Sequence, residues 1–122
     1  MAEARHIKRG KEGEKLAAEF LENAGFRIIE KNWRFQHLEI DIIAFDGEEL
    51  VIVEVKTRKK DDPLLPGDLI PPKKQRFIIN ATDAYIRQKE IEPEVRFDVI
   101  IIHTEGNRFT IEHIRKAFYP VL

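Results

Sequence analysis

Four charged residues stand where buried strands would not carry them. The stretch Glu39-Ile40-Asp41-Ile42-Ile43-Ala44 is followed by Asp46-Gly47 and then by Val51-Ile52-Val53-Glu54-Val55-Lys56. Both halves are rich in β-branched and aliphatic residues and read as two strands of a hairpin, Leu38 to Phe45 and Leu50 to Thr57. Asp46-Gly47 marks the turn. Alternate side chains of a strand share a face, so Glu39 falls with Asp41 and Glu54 with Lys56. A loop over 46–49 pairs Phe45 with Leu50, Asp41 with Glu54 and Glu39 with Lys56. A shorter loop at Asp46-Gly47 slides the register by two positions and keeps all four charges on one face. Only an odd-length loop or a bulge separates them.

Neighbouring carboxylates repel, and burial raises the cost. A hard divalent cation removes that cost, since Mg²⁺ is held by one or two carboxylates together with water and phosphate oxygens. Asp41 and Glu54 are the candidate ligands, with the backbone carbonyl of Val55 between Glu54 and Lys56 as a further one. Lys56 would lie beside the cation, where its charge orients an attacking water or offsets charge developing at phosphorus. This is a layout for metal-assisted phosphodiester hydrolysis with Mg²⁺ or Mn²⁺. The competing account is an exposed hairpin face closed by a cross-strand salt bridge from Lys56 to Glu39 or Asp41.

The flanking sequence supplies elements to position these groups. Leu16, Ala17, Phe20, Leu21 and Ala24 form a helical stripe over Glu12 to Ala24, with Gly25 as its stop. Glu12 and Glu14 lie in its first turn, where negative charge suits the helix dipole. Phe26 to Trp33 reads as a strand, linked to the hairpin through residues 34–37. After Arg58-Lys59-Lys60, the segment from Asp61 to Pro72 carries four prolines and reads as a loop long enough to be functional. Pro71-Pro72 opens a second helix over Lys73 to Lys89, with apolar positions at Phe77, Ile78, Ala81, Ala84 and Tyr85. The run from Arg96 to His103 reads as a central strand covered on both faces. A turn at Glu105-Gly106-Asn107 leads to a last strand, Arg108 to Ile114. The order α-β-β-β-α-β-β predicts an α/β or α+β domain with a mixed sheet flanked by helices.

Composition narrows the setting. The chain has 122 residues, enough for one domain, and residues 1–9 are expected to be flexible. Charged residues make up 35% of it, above the usual level of about 25%, yet the net charge is only −1. A nucleic-acid partner would therefore be held by local basic clusters: Arg58, Lys59 and Lys60, and Lys73, Lys74 and Arg76. A third cluster is Arg5, Lys8, Arg9 and Lys11. The absence of cysteine excludes disulfides and thiolate metal sites and fits a cytoplasmic setting. No signal-peptide pattern and no apolar run near 18 residues is present, so no membrane association is expected. The four histidines show no metal-ligand spacing. Asp98 interrupts an apolar strand; pairing with Arg96 or a loop amide is favoured over a role as a further site acid. Trp33 and Phe35 suit a core or edge role better than base stacking.

Asp41 with Glu54-Val55-Lys56 resembles the PD-(D/E)XK nuclease motif. Gly10-x-x-Gly13-Glu14, Gly25-Phe26, Asn32-Trp33-Arg34, Glu39 to Ala44, Val53 to Arg58, Lys73 with Arg76, and Arg96 to Val99 follow in order. Together they resemble the YraN-like family of small bacterial proteins over about residues 10 to 102. That family is similar to archaeal Holliday-junction resolvases. The resemblance implies a restriction-endonuclease-like core, Asp41 and Glu54 as metal ligands and Lys56 as catalytic lysine. It adds Glu14 from the first helix and Glu39 as an auxiliary acid. It implies a DNA substrate, branched or otherwise structured, and a homodimer, because a resolvase needs two sites. Leu38 departs from the pattern, which has Gly there. A non-catalytic nucleic-acid-binding module on the same fold is the alternative. A structural domain with paired hairpin charges is a third reading.

Overall fold

The computed structural model describes residues 11–62 and 69–119. Helix α1 (Lys11–Asn23) precedes strands β1 (Arg27–Phe35), β2 (Leu38–Asp46) and β3 (Glu49–Lys59). Helix α2 (Pro72–Lys89) and strands β4 (Val95–Glu105) and β5 (Arg108–Phe118) follow. The five strands form one mixed sheet in sequence order, antiparallel except for the parallel pair β3–β4. The chain between β3 and β4, which contains α2, makes the crossover that parallel strands require. The expected element order and α+β class hold; β5 runs four residues beyond the expected Ile114. The expected flexible segment 1–9, the basic residues Arg5, Lys8 and Arg9, and residues 63–68 of the proline-rich loop lie outside the described residues.

The helices cover opposite faces. Ala17, Ala18 and Leu21 of α1 pack with Val51, Val53, Ile100 and Ile102. Ile78, Ala81 and Tyr85 of α2 pack with Leu50, Ile52, Val99 and Ile101. The side-chain alternation of β3 and β4 thus supplies both cores, which is why β4 reads as an almost unbroken apolar run. Among the described residues, no helix is long and apolar enough to cross a membrane.

The hairpin register pairs Phe45 with Leu50, as expected, and Asp46 with Glu49 closes the turn over Gly47 and Glu48. Gly47 has φ +64°, the left-handed conformation that a tight hairpin turn takes at its first central position.

The β2–β3 ladder runs only as far as Ile42–Val53. Beyond it, the alternation of β2 breaks. Ile42 and Ala44 lie in the core under α1, but Ile40 joins Ile43 in the core under α2. Regular pleating would have put Ile40 with Ile42. The neighbouring strand breaks at the same level, where Asn32 takes φ +55° between the pairs Lys31–Ile42 and Trp33–Ile40. Asparagine tolerates that conformation better than most residues. The irregularity at Asn32 and Asp41 breaks the pleat without a shift of register, and so separates the charges by a local turn of the backbone rather than by an extra residue.

Candidate functional site

At the level of that break, Asp41 is turned towards β3. Its Oδ2 accepts a 2.8 Å hydrogen bond from the Val55 amide. Continuation of the ladder would have brought a β2 backbone carbonyl to that amide. The carboxylate therefore replaces a backbone acceptor where β2 leaves β3, and lies half-buried between the strands.

Glu14 reaches the same place from α1. The helix can approach because Gly13 faces β3: a Cβ there would stand 2.9 Å from Thr57 Oγ1 and 3.4 Å from Ile102 Cδ1. Glu14, one residue on, is 8% exposed. Glu14, Glu39 and Asp41 each offer a carboxylate oxygen within 4.8 Å of the others. Such a set of hard oxygen donors fits a hard divalent cation better than a soft one. Its electrostatics are strained without one. Burial, then the charge of Glu54, then Glu14 push the Asp41 carboxyl up to about 8, against the opposing bond from the Val55 amide.

Glu54 and Lys56 lie on the other side of β3. Glu54 is 8% exposed, and its Oε2 accepts a short hydrogen bond from Lys74 Nζ of α2. Lys56 Nζ stands 4.0 Å from the same oxygen. Burial holds the Lys56 ammonium below its usual pKa. Lys74 and Arg58 add to that effect, and Glu54 opposes it.

The expectation that Glu39, Asp41, Glu54 and Lys56 share one face is therefore corrected. Glu39 does not sit opposite Lys56; it joins Glu14 and Asp41, with Arg34 at 3.6 Å. Glu54 and Lys56 project to the α2 side. The physical cause is the broken pleat of β2 beyond Ile42, which turns Asp41 into the gap beside β3 so that the charges approach from both faces. Neither Glu39 nor Asp41 forms the salt bridge to Lys56 that the competing account required; among the described residues Lys56 pairs with Glu54.

The basic clusters divide. Lys60 pairs with Glu105 at 2.9 Å on the surface, and Arg58 donates to the Thr57 carbonyl at 3.0 Å. Lys59, Lys73 and Arg76 are exposed. Lys74 is drawn inward by Glu54, a role that its place in a lysine pair concealed. Leu38 pairs with Phe35 and packs against the core under α2, so it serves as an apolar strand residue.

Asp98 takes the structural role. Its side chain is fully buried and accepts hydrogen bonds from Arg96 Nε at 2.9 Å, Arg96 Nη2 at 3.0 Å, His113 Nε2 at 2.7 Å and the Lys116 amide at 3.1 Å. Burial would raise its pKa, but those donors outweigh it and hold the carboxyl below its usual value. The shift of register between Phe97 and Val99, with Lys116 at φ +54°, makes room for this cluster. Trp33 and Phe35 stack on one another, and Trp33 meets Tyr85 edge-on, as core and edge residues do.

A family model described as "Uncharacterised protein family UPF0102" matches residues 13–102. A UPF0102 protein of Flavobacterium johnsoniae is 47% identical over 120 residues, covering 95% of this chain and 98% of the relative. One from Bacteroides fragilis is 45% identical over 119 residues, with 98% of each chain covered. One from Chlorobium chlorochromatii is 45% identical over 116 residues, with 90% of each covered.

Proposed function

The chain belongs to the uncharacterised protein family UPF0102, and on that footing we propose that it is a metal-dependent nuclease that hydrolyses phosphodiester bonds of branched or otherwise structured DNA. One observation carries the reading. Acids from α1 and β2 converge where β2 leaves β3, and Glu54 of β3, whose charge acts on Asp41, stands with a half-buried lysine on the far side. The likeness of Asp41 and Glu54-Val55-Lys56 to the PD-(D/E)XK motif supports it.

Asp41 and Glu14 would hold a Mg²⁺ or Mn²⁺ ion together with Glu54, which would have to exchange its bond to Lys74 for the cation. Glu39, the third acid of the observed cluster, would be an auxiliary acid. The Val55 carbonyl would join them, since N–H and C=O of one strand residue project to the same edge and the Val55 amide already faces Asp41. When bound, the cation supplies Lewis-acid polarisation of the phosphoryl group and eases deprotonation of water. The protein's own part is positional and electrostatic. Asp41 is fixed by the Val55 amide, and Glu14 by the close approach of α1. Lys56 presents its ammonium to the negative charge that develops at phosphorus, or orients the attacking water.

Metal uptake at these acids is the first requirement. Calorimetric titration with Mn²⁺ should show binding to the wild type, weakened at least about tenfold in Asp41→Ala. A folded wild-type protein that takes up no Mn²⁺ or Mg²⁺ would overturn the proposal. The second reading, a non-catalytic nucleic-acid-binding module, draws on the Lys74 ammonium already paired with Glu54. It requires DNA binding that is indifferent to metal and unaccompanied by cleavage.

A further inference from the structure

A groove of about 190 Å³ runs between α2 and the β1–β2 turn, lined by Phe35, Gln36, His37, Leu38, Phe77 and Asn80. Phe77 is 49% exposed, although Ile78, Ala81 and Tyr85 of the same stripe are buried. Lys73 holds its ammonium 5.9 Å from the centre of the Phe77 ring. Both walls of the groove lead to the candidate site. Leu38 is adjacent to Glu39 in β2. Phe77 lies three residues, nearly one helical turn, beyond Lys74, whose ammonium holds Glu54.

We propose that this groove takes one unstacked nucleobase of the DNA strand, with Phe77 as its stacking face and Lys73 as the contact to the attached phosphate. The inference rests on the nuclease reading and adds a substrate class to it: DNA with an unpaired nucleotide beside the bond to be cut.

Size, chemistry and charge each support that occupant. The volume falls below the roughly 300–1,000 Å³ of a pocket for a drug-sized ligand, and suits a single ring system. Aromatic rings bounded by amides and an imidazole match a base, which has a π face and a polar edge. Exposed Lys73 and Arg76 on the same helix complement a phosphate chain. The turn over Gln36 and His37 holds Gln36 at φ +55°, a conformation that costs a non-glycine residue energy and presents the polar rim. A base within a continuous duplex reaches such a groove only after flipping, so flaps, gaps and junctions are favoured over plain duplex.

The test is binding in EDTA, where no metal-dependent cleavage occurs. Fluorescence anisotropy compares a single-stranded oligonucleotide with the matching duplex, for wild type, Phe77→Ala, Phe77→Trp and Lys73→Ala. Stacking is worth about 1–3 kcal/mol per base, so Phe77→Ala should weaken single-strand binding by roughly 5- to 150-fold. Duplex binding should change less than about twofold by the same measure, Phe77→Trp should restore single-strand binding, and Lys73→Ala should weaken it. A 2-aminopurine placed in the single strand should be quenched by wild type and not by Phe77→Ala. Equal losses for both DNAs, or no loss, would overturn the proposal. So would a dimer that Phe77→Ala converts to monomer with DNA affinity unchanged, because the groove would then belong to an interface between copies. If Phe77-dependent binding holds but no DNA is cut with metal, the nuclease reading fails and the groove stands. If cleavage occurs and single-strand binding ignores Phe77, only the groove fails.

Discussion

Half-buried Asp41 and fully buried Asp98 behave in opposite ways, and their partners explain the difference. Asp98 receives four donors, including a guanidinium. Its carboxyl is held below the ordinary 3.8, so its contribution to stability is present above that pH and is lost as pH falls through the lower folded-state value. Replacement by alanine leaves Arg96 and His113 without their common partner and should cost about 3–5 kcal/mol, read by denaturant titration at neutral pH. Asp41 receives one donor and faces other acids. With a folded-state pKa of about 8 against 3.8, its contribution is full below pH 3.8 and is lost as pH rises towards 8. In metal-free buffer Asp41→Asn should therefore raise the melting temperature at pH 8 by a few degrees, on the order of 4 °C per kcal/mol relieved, and flatten the fall with pH. A metal-free melting temperature that drops in Asp41→Asn would show the acids to be a stabilising network. Asp98 was legible as an ion-pair residue from its neighbour Arg96. The part of His113, fifteen positions away, was not, because β5 brings it there across a sheet pairing that no local pattern encodes.

Helix α1 and the paired break in β1 and β2 position the site. Their sequence marks are small: Gly13 within a helix and Asn32 within a strand. Gly13 matters because its missing side chain lets α1 lie against Thr57 and Ile102, which sets Glu14 among the acids. Gly13→Ala should gain up to about 1 kcal/mol in helix propensity and lose about 1–3 in overpacking. It should also weaken Mn²⁺ affinity by moving Glu14. Thr57→Ala removes the nearest obstacle, so the double variant should recover affinity towards wild type in the same calorimetric titration. If Gly13→Ala binds metal unchanged, Glu14 is not positioned by this close approach. The element order could be read from periodicity and turn residues because each helix and strand is amphipathic or uniformly apolar over its own length. Parity along a strand could not reveal the break at Asp41, since Asn32 signals it only through a backbone conformation and on the neighbouring strand.

At the scale of the molecule, a net charge of −1 means that any hold on DNA is local. The α2 side carries exposed Lys73 and Arg76, while Lys60 is engaged by Glu105 and Lys74 by Glu54. Replacing Lys73 and Arg76 by glutamine should lower the slope of log affinity against log salt by about 1 for each phosphate that is no longer neutralised. The same change at Lys60 should leave the slope nearly as it was. The chain's composition foretold a charged surface but not which charges were already paired, because pairing depends on which residues the fold brings together. The nuclease reading stands or falls on whether the acids at the β2–β3 break do chemistry on DNA. That is tested by incubating linear, nicked, flapped and four-way DNA with Mg²⁺ or Mn²⁺, with wild type beside Glu54→Ala. Metal-dependent cleavage of at least one structured substrate by wild type, lost in a folded Glu54→Ala protein, is the expected result. No cleavage of any of these DNAs by a wild type that binds both metal and DNA, or equal cleavage by Glu54→Ala, would contradict it.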